Sequence, residues 1–117
     1  MARCVLMVQA EVARQRHLST LLSQWGYAPV AARSVEDAFA ALGHTRFLFS
    51  LVDAELDGAD GLEFLRRLRI QGGDPGPIIM LSDVATSKRM GEAMALGAED
   101  FLQKPFKANI LLLKVRE

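Results

Sequence analysis

The stretch Phe47-Leu48-Phe49-Ser50-Leu51-Val52-Asp53 decides the fold. It is a short, almost continuous apolar run that ends in a carboxylate and leads into the turn-forming Asp57-Gly58-Ala59-Asp60-Gly61. Because the run does not alternate apolar with polar, residues 48–52 read as a strand covered on both faces, the habit of a central strand in a parallel sheet. An acid directly after such a strand lies at the sheet's carboxyl edge, where open α/β sheets keep their chemistry.

On either side of this strand the chain alternates strand and helix. Residues 4–8 are a first apolar strand, followed by Leu18, Leu21, Leu22 and Trp25 at helical spacing, with Gly26 as a stop. Residues 28–32 form a weaker strand whose Pro29 suits an edge or a strand start. Ser34 then caps a helix with Asp37 three residues on, in the manner of a capping box, and Val35, Ala38, Phe39 and Leu42 mark its inner face before Gly43 ends it. Downstream, Asp60 caps a helix whose Leu62, Phe64, Leu65 and Leu68 face inward, and residues 71–77 are a Gly/Pro linker. A strand over 78–81, a helix over 87–96 with Met90, Ala93 and Met94 inward, a strand over 101–103 and a helix over 108–117 complete the pattern. Such alternation with short links predicts parallel strands, right-handed crossovers and a single α/β domain over 1–117.

Composition removes several classes of function. The 117 residues suffice for one core, and the 14 basic and 14 acidic residues balance, so nothing points to nucleic acid or an anionic membrane as partner. No apolar run approaches the ~20 residues of a membrane span. The N-terminus lacks a signal-peptide cleavage site, and a single cysteine, Cys4, suits a reducing, cytoplasmic setting. Cys4 lies in an apolar strand and reads as a buried structural thiol. His17 and His44 have no partners at metal-ligand spacing and read as surface residues, as do Arg66, Arg67 and Arg69 on the third helix.

Three strand ends carry reactive groups: Asp53, Ser82 and Lys104, the last in a Lys-Pro pair. In a parallel sheet these ends converge on one edge. A nucleophilic carboxylate, a hydroxyl and a fixed cation are what a phosphoryl-accepting pocket needs, together with a divalent cation. With no metal, Asp53 is expected to pair with Lys104, which would lower the carboxylate's pKa.

Here the chain resembles the receiver domain of two-component response regulators along essentially its whole length. The matching segments are Leu51-Val52-Asp53, Asp60-Gly61, Pro77-Ile78-Ile79-Met80-Leu81-Ser82, Ala95-Leu96-Gly97-Ala98-Glu99-Asp100-Phe101 and Lys104-Pro105-Phe106. The resemblance implies a flavodoxin-like, five-stranded parallel sheet of order 2-1-3-4-5 with helices on both faces. It makes Asp53 the phospho-acceptor, Ser82 the switch hydroxyl, Lys104 the phosphate contact and Phe101 the aromatic that moves with Ser82. It implies a sensor histidine kinase as donor. It also implies that the fourth helix, fifth strand and fifth helix form the surface that binds an output domain or partner protein, or pairs two copies.

The match breaks after the first strand. Members of the family usually carry two adjacent acids there that help to bind Mg²⁺; this chain has Gln9 and Ala10. The remaining candidate ligands are Asp53, Glu55 through its backbone carbonyl or side chain, and Glu11, so Mg²⁺ binding is expected to be weak or absent. Glu11, Glu55 and Asp83 are expected to point to solvent; the alternative is that one of them reaches in and partly rebuilds a cation site. The leading function is therefore phosphoryl acceptance on Asp53. The first alternative is a phosphorylation-independent interaction module. The second, remote alternative is an aspartate-nucleophile phosphatase of the haloacid-dehalogenase type, which wants an acid at Glu55 and metal-binding acids after Lys104, where Glu117 is the one left. No Gly-x-Gly-x-x-Gly follows the first strand, which argues against flavin or dinucleotide binding. The chain stops early in its last helix, so it reads as a stand-alone receiver or as the receiver part of a longer chain with its output domain removed; it contains no DNA-binding motif, so transcription regulation is a conjecture only.

Overall fold

The computed structural model describes residues Arg3–Arg116. Glu117, which the phosphatase reading needed, lies outside the described residues. The elements are β1 (Cys4–Val8), α1 (Val12–Gln24), β2 (Ala28–Ala32), α2 (Val35–Leu42), β3 (Phe49–Asp53), α3 (Gly61–Gln71), β4 (Ile78–Ser82), α4 (Ser87–Ala95), β5 (Asp100–Gln103) and α5 (Ala108–Val115). The five strands form one sheet in the order β2-β1-β3-β4-β5, and every pairing in it is parallel. This is the flavodoxin-like arrangement, with β2 at an edge as Pro29 indicates.

Alternate side chains of the strands supply two cores. Leu6, Val8, Val52 and Met80 face α2, α3 and α4, where they meet Ala38, Phe64, Leu65 and Ala93. Val5, Met7, Leu51 and Ile79 face the other way and meet Leu18 and Leu22 of α1 and Leu111 of α5. Each fully buried aliphatic or aromatic side chain of this kind contributes about 1.5–3 kcal/mol. The period-2 division explains why the central strands are apolar throughout: both faces are covered. Within β3, ahead of its terminal Asp53, Ser50 is the polar exception, and its hydroxyl donates to the Pro75 carbonyl oxygen at 2.7 Å, tying the 71–77 linker to β3.

The helix starts follow their caps. Ser34 Oγ accepts the Asp37 amide at 3.1 Å, and Asp60 Oδ1 accepts the Leu62 amide at 2.9 Å. The capping box is only half formed, because the Asp37 carboxylate accepts from the Arg33 amide and not from that of Ser34. Two further expectations fail. Met90 and Met94 are exposed on α4, where the small Ala93 alone is buried against the sheet. Arg67 and Arg69 are not a simple solvated face: Arg67 lies over the Phe39 ring and pairs with Glu36, and Arg69 donates to the Ala95 carbonyl oxygen at 2.7 Å. These arginines bind α3 to its neighbours α2 and α4. Cys4 is half-buried and free, while His17 and His44 are exposed.

The third strand runs one residue later than the pattern predicts, so Asp53 is its last residue, in register with Leu81 of β4. Leu48 is exposed and lies ahead of the strand. Between β3 and α3 the chain forms a small antiparallel ribbon, Glu55–Leu56 against Ala59–Asp60. Its two-residue arms are too short to show a period in the sequence. This ribbon fixes where the Glu55 side chain starts.

Candidate functional site

Parallel topology brings the ends of β1, β3, β4 and β5 to one edge. Asp53 ends β3, Ser82 ends β4, Lys104 follows β5 and Gln9 follows β1. The Asp53 side chain is only 4% exposed and that of Lys104 9%, with Lys104 Nζ 3.3 Å from Asp53 Oδ1. Gln9 Nε2 donates to the same oxygen at 3.4 Å. A cleft of about 290 Å³ opens over Asp53, walled by Glu11, Arg14, Asp57, Asp83 and Lys104 among others.

The pairing with Lys104 is as expected, but its effect on Asp53 is not. Burial raises the Asp53 pKa above its ordinary value, and the Lys104 charge and the hydrogen bonds from Gln9 and Lys104 only partly offset that. Withdrawal of the carboxylate from water outweighs the Lys104 cation at 3.3 Å, the neutral Gln9 amide and the charge of Arg14.

Ser82 is fully buried, and its hydroxyl donates to Glu55 Oε2 at 2.6 Å, so it is committed to Glu55 and not to Asp53. The other Glu55 oxygen accepts the Asp83 amide at 2.9 Å, and Arg89 Nη2 donates to Oε2 at 2.8 Å. Burial would raise the Glu55 pKa, but Ser82, the Asp83 amide and Arg89 together bring it below the ordinary value. The expectation that Glu55 points to solvent is therefore wrong: a hydroxyl, an amide and a guanidinium converge on it and outweigh its hydration. Arg89 is 34 residues away in sequence, on α4, so no local pattern signals the contact.

Glu11 and Asp83 are exposed, as expected, and lie on either side of Arg14, at 3.1 and 3.7 Å. Arg14 had no place in the sequence reading, because a cation one turn into a helix looks like a solvated residue. Phe101 is half-buried against the core on the α2–α4 side.

A hard divalent cation wants roughly six oxygen ligands, usually with carboxylates among them. Gln9 presents nitrogen to Asp53, and its Oε1 is buried with no hydrogen-bond partner among the described residues. Ala10 brings no donor. Glu55 is committed to Ser82, Asp83 and Arg89, and Arg14 pairs with Glu11 and Asp83. No group of three or more His, Cys, Asp or Glu among the described residues is arranged to hold a metal ion. These side chains do not fit a Mg²⁺ site built on the carboxylates of Asp53, Glu55 and Glu11.

Comparison with known proteins agrees with the fold. The family model described as the response regulator receiver domain matches residues 5–116. The two-component response regulator PhoP of Pseudomonas aeruginosa is 31% identical over 88% of this chain and 45% of its own length. The response regulator protein FleR of the same organism is 34% identical over 96% of this chain and 24% of its own length. The chain thus spans less than half of either relative. Among solved structures, the chemotaxis protein CheY4 of Vibrio cholerae superposes with a TM-score of 0.91 at 27% identity, covering 99% of this chain and 98% of that one. No helix among the described residues is long and apolar enough to cross a membrane.

Proposed function

The chain belongs to the response regulator receiver domain family, and from that premise we propose that Asp53 accepts a phosphoryl group from the phosphohistidine of a sensor kinase. Membership makes it a phosphorelay signalling module and not an enzyme, which removes the phosphatase alternative. In the proposed step an Asp53 carboxylate oxygen bonds to phosphorus as the phosphorus–nitrogen bond breaks, and the electron pair stays with the imidazole. Lys104 supplies the fixed positive charge beside the new acyl phosphate, and Gln9 orients the carboxylate. The observation that carries this reading is the buried Asp53–Lys104 pair at the floor of an open cleft. Because the donors suit Mg²⁺ poorly, the affinity for metal is weak.

Output passes through α4, β5 and α5 to a partner or an output domain in the cytoplasm. Met90, Met94, Ile110 and Leu113 give that surface exposed apolar side chains, which favour a protein contact. A second reading, a receiver fold that signals without phosphorylation, is favoured by one observation: the Ser82 hydroxyl is already taken by Glu55.

The test is intact mass after incubation with acetyl phosphate, with and without Mg²⁺, beside Asp53→Asn. One phosphoryl adduct is expected, absent from Asp53→Asn and little changed by Mg²⁺. No adduct in a folded protein would leave the phosphorylation-independent reading.

A further inference from the structure

We propose that Glu55 is a resident oxyanion: it occupies the donors that a phosphoryl oxygen on Asp53 would otherwise draw on, and so holds the β4–α4 link in one arrangement in the unmodified protein. The competition part rests on the phospho-acceptor reading above; the latch part does not.

The donors come from three places. Ser82 gives a fully buried hydroxyl, Asp83 a backbone N–H, and Arg89 a guanidinium from the first turn of α4. The lengths of 2.6, 2.9 and 2.8 Å are those of charge-assisted bonds. Both Glu55 oxygens accept hydrogen bonds, Oε2 from Ser82 and Arg89 and Oε1 from the Asp83 amide. A hydroxyl, an amide and a guanidinium around one anion form the kind of set that also binds a phosphoryl oxygen. Here the anion belongs to the protein, on a short ribbon two residues after Asp53.

The same contacts reach the signalling surface. Arg89 also donates to the Ala54 carbonyl oxygen at 3.3 Å and lies 3.7 Å from Asp60 Oδ1. Its own amide donates to Thr86 Oγ1 at 3.2 Å, within the cap of α4. Glu55 therefore ties the β3–α3 loop, the end of β4 and the start of α4 together. For Ser82 to serve a phosphoryl group, this carboxylate must first give up its hydroxyl.

Amide hydrogen exchange of the unmodified protein tests the latch. Asp83 is exposed and lies outside any helix or strand, yet its amide should exchange slowly in the wild type. In Glu55→Gln and Glu55→Ala it should exchange about tenfold faster or more, as expected for losing a hydrogen bond to a charged group. An Asp83 amide that exchanges at the free-peptide rate in the wild type overturns the proposal without recourse to any variant; so does exchange left unchanged in both variants. Adduct formation from acetyl phosphate tests the competition, and should be about tenfold faster in both variants on the same energetic ground. Equal adduct rates in all three proteins would overturn the competition. Faster exchange with no adduct in any of the three would leave the latch standing and end the phospho-acceptor reading.

Discussion

Gly61→Ala destabilises the domain by about 3 kcal/mol or more, the upper range for forcing atoms into a filled site. Gly61 opens α3 directly against the end of β3, and its amide donates to the Ala54 carbonyl oxygen at 2.7 Å. A Cβ here would overlap the Asp53 carbonyl oxygen and would come within 2.9 Å of the Ala54 Cα. Both obstacles are backbone in the middle of the molecule, so neither can rotate away. The helix could relieve the clash only by retreating from β3, which would move the backbone that positions Asp53. Urea denaturation of wild type and variant gives the magnitude. Gly91→Ala is the matched control. Gly91 lies within α4 with nothing within 4 Å of its would-be Cβ. The same substitution there should stabilise by about 1 kcal/mol, through helix propensity alone. Opposite signs for one chemical change would show that close approach, and not glycine content, sets the cost. Equal effects at the two sites would refute that account.

The sequence carries the architecture because the architecture rests on periodic burial. Apolar runs at 4–8, 48–52 and 78–81 and helical stripes such as Leu18, Leu21 and Leu22 are local signals, and the sheet honours them. Asp53 and Lys104 were legible for the same reason: a strand end can be read, and parallel topology does the rest. Their energetics were not. The sign of the Asp53 shift depends on how much water the fold removes, which no residue spacing reports. The contact between Glu55 and Arg89 was missed because their meeting needs a two-residue ribbon and a helix from a distant segment. Met90 and Met94 followed a helical stripe that α4 does not bury, because this short helix rests on the sheet through Ala93.

Lys104→Met costs about 3–5 kcal/mol at neutral pH, the expected price of leaving a buried carboxylate without its cation. Methionine keeps the length and apolar stem of lysine and removes only the charge. Asp53, with a side chain 4% exposed, would then keep the Gln9 amide at 3.4 Å and the charge of Arg14. Its pKa, already raised by burial, would rise further because the chief opposing influence is gone. The sign of the pH dependence follows from linkage. Unfolded, Asp53 titrates near 3.8; folded, it holds its proton to higher pH. The folded state therefore binds more protons between the two values, and stability falls as pH rises through that window. The penalty of Lys104→Met should be full above the variant's folded value and should shrink as pH falls from there to the wild type's folded value, below which Asp53 is neutral in both folded proteins. Glu55 pulls the other way in both proteins, since its folded pKa is lowered and its stabilisation is lost on acidification. The quantity to measure is therefore the difference between variant and wild type across pH, in which Glu55 cancels. The double variant Asp53→Asn, Lys104→Met removes both charges and should recover most of the loss. A penalty that does not vary with pH, or a double variant as unstable as Lys104→Met alone, would mean that the lysine acts by packing and not by its charge on Asp53.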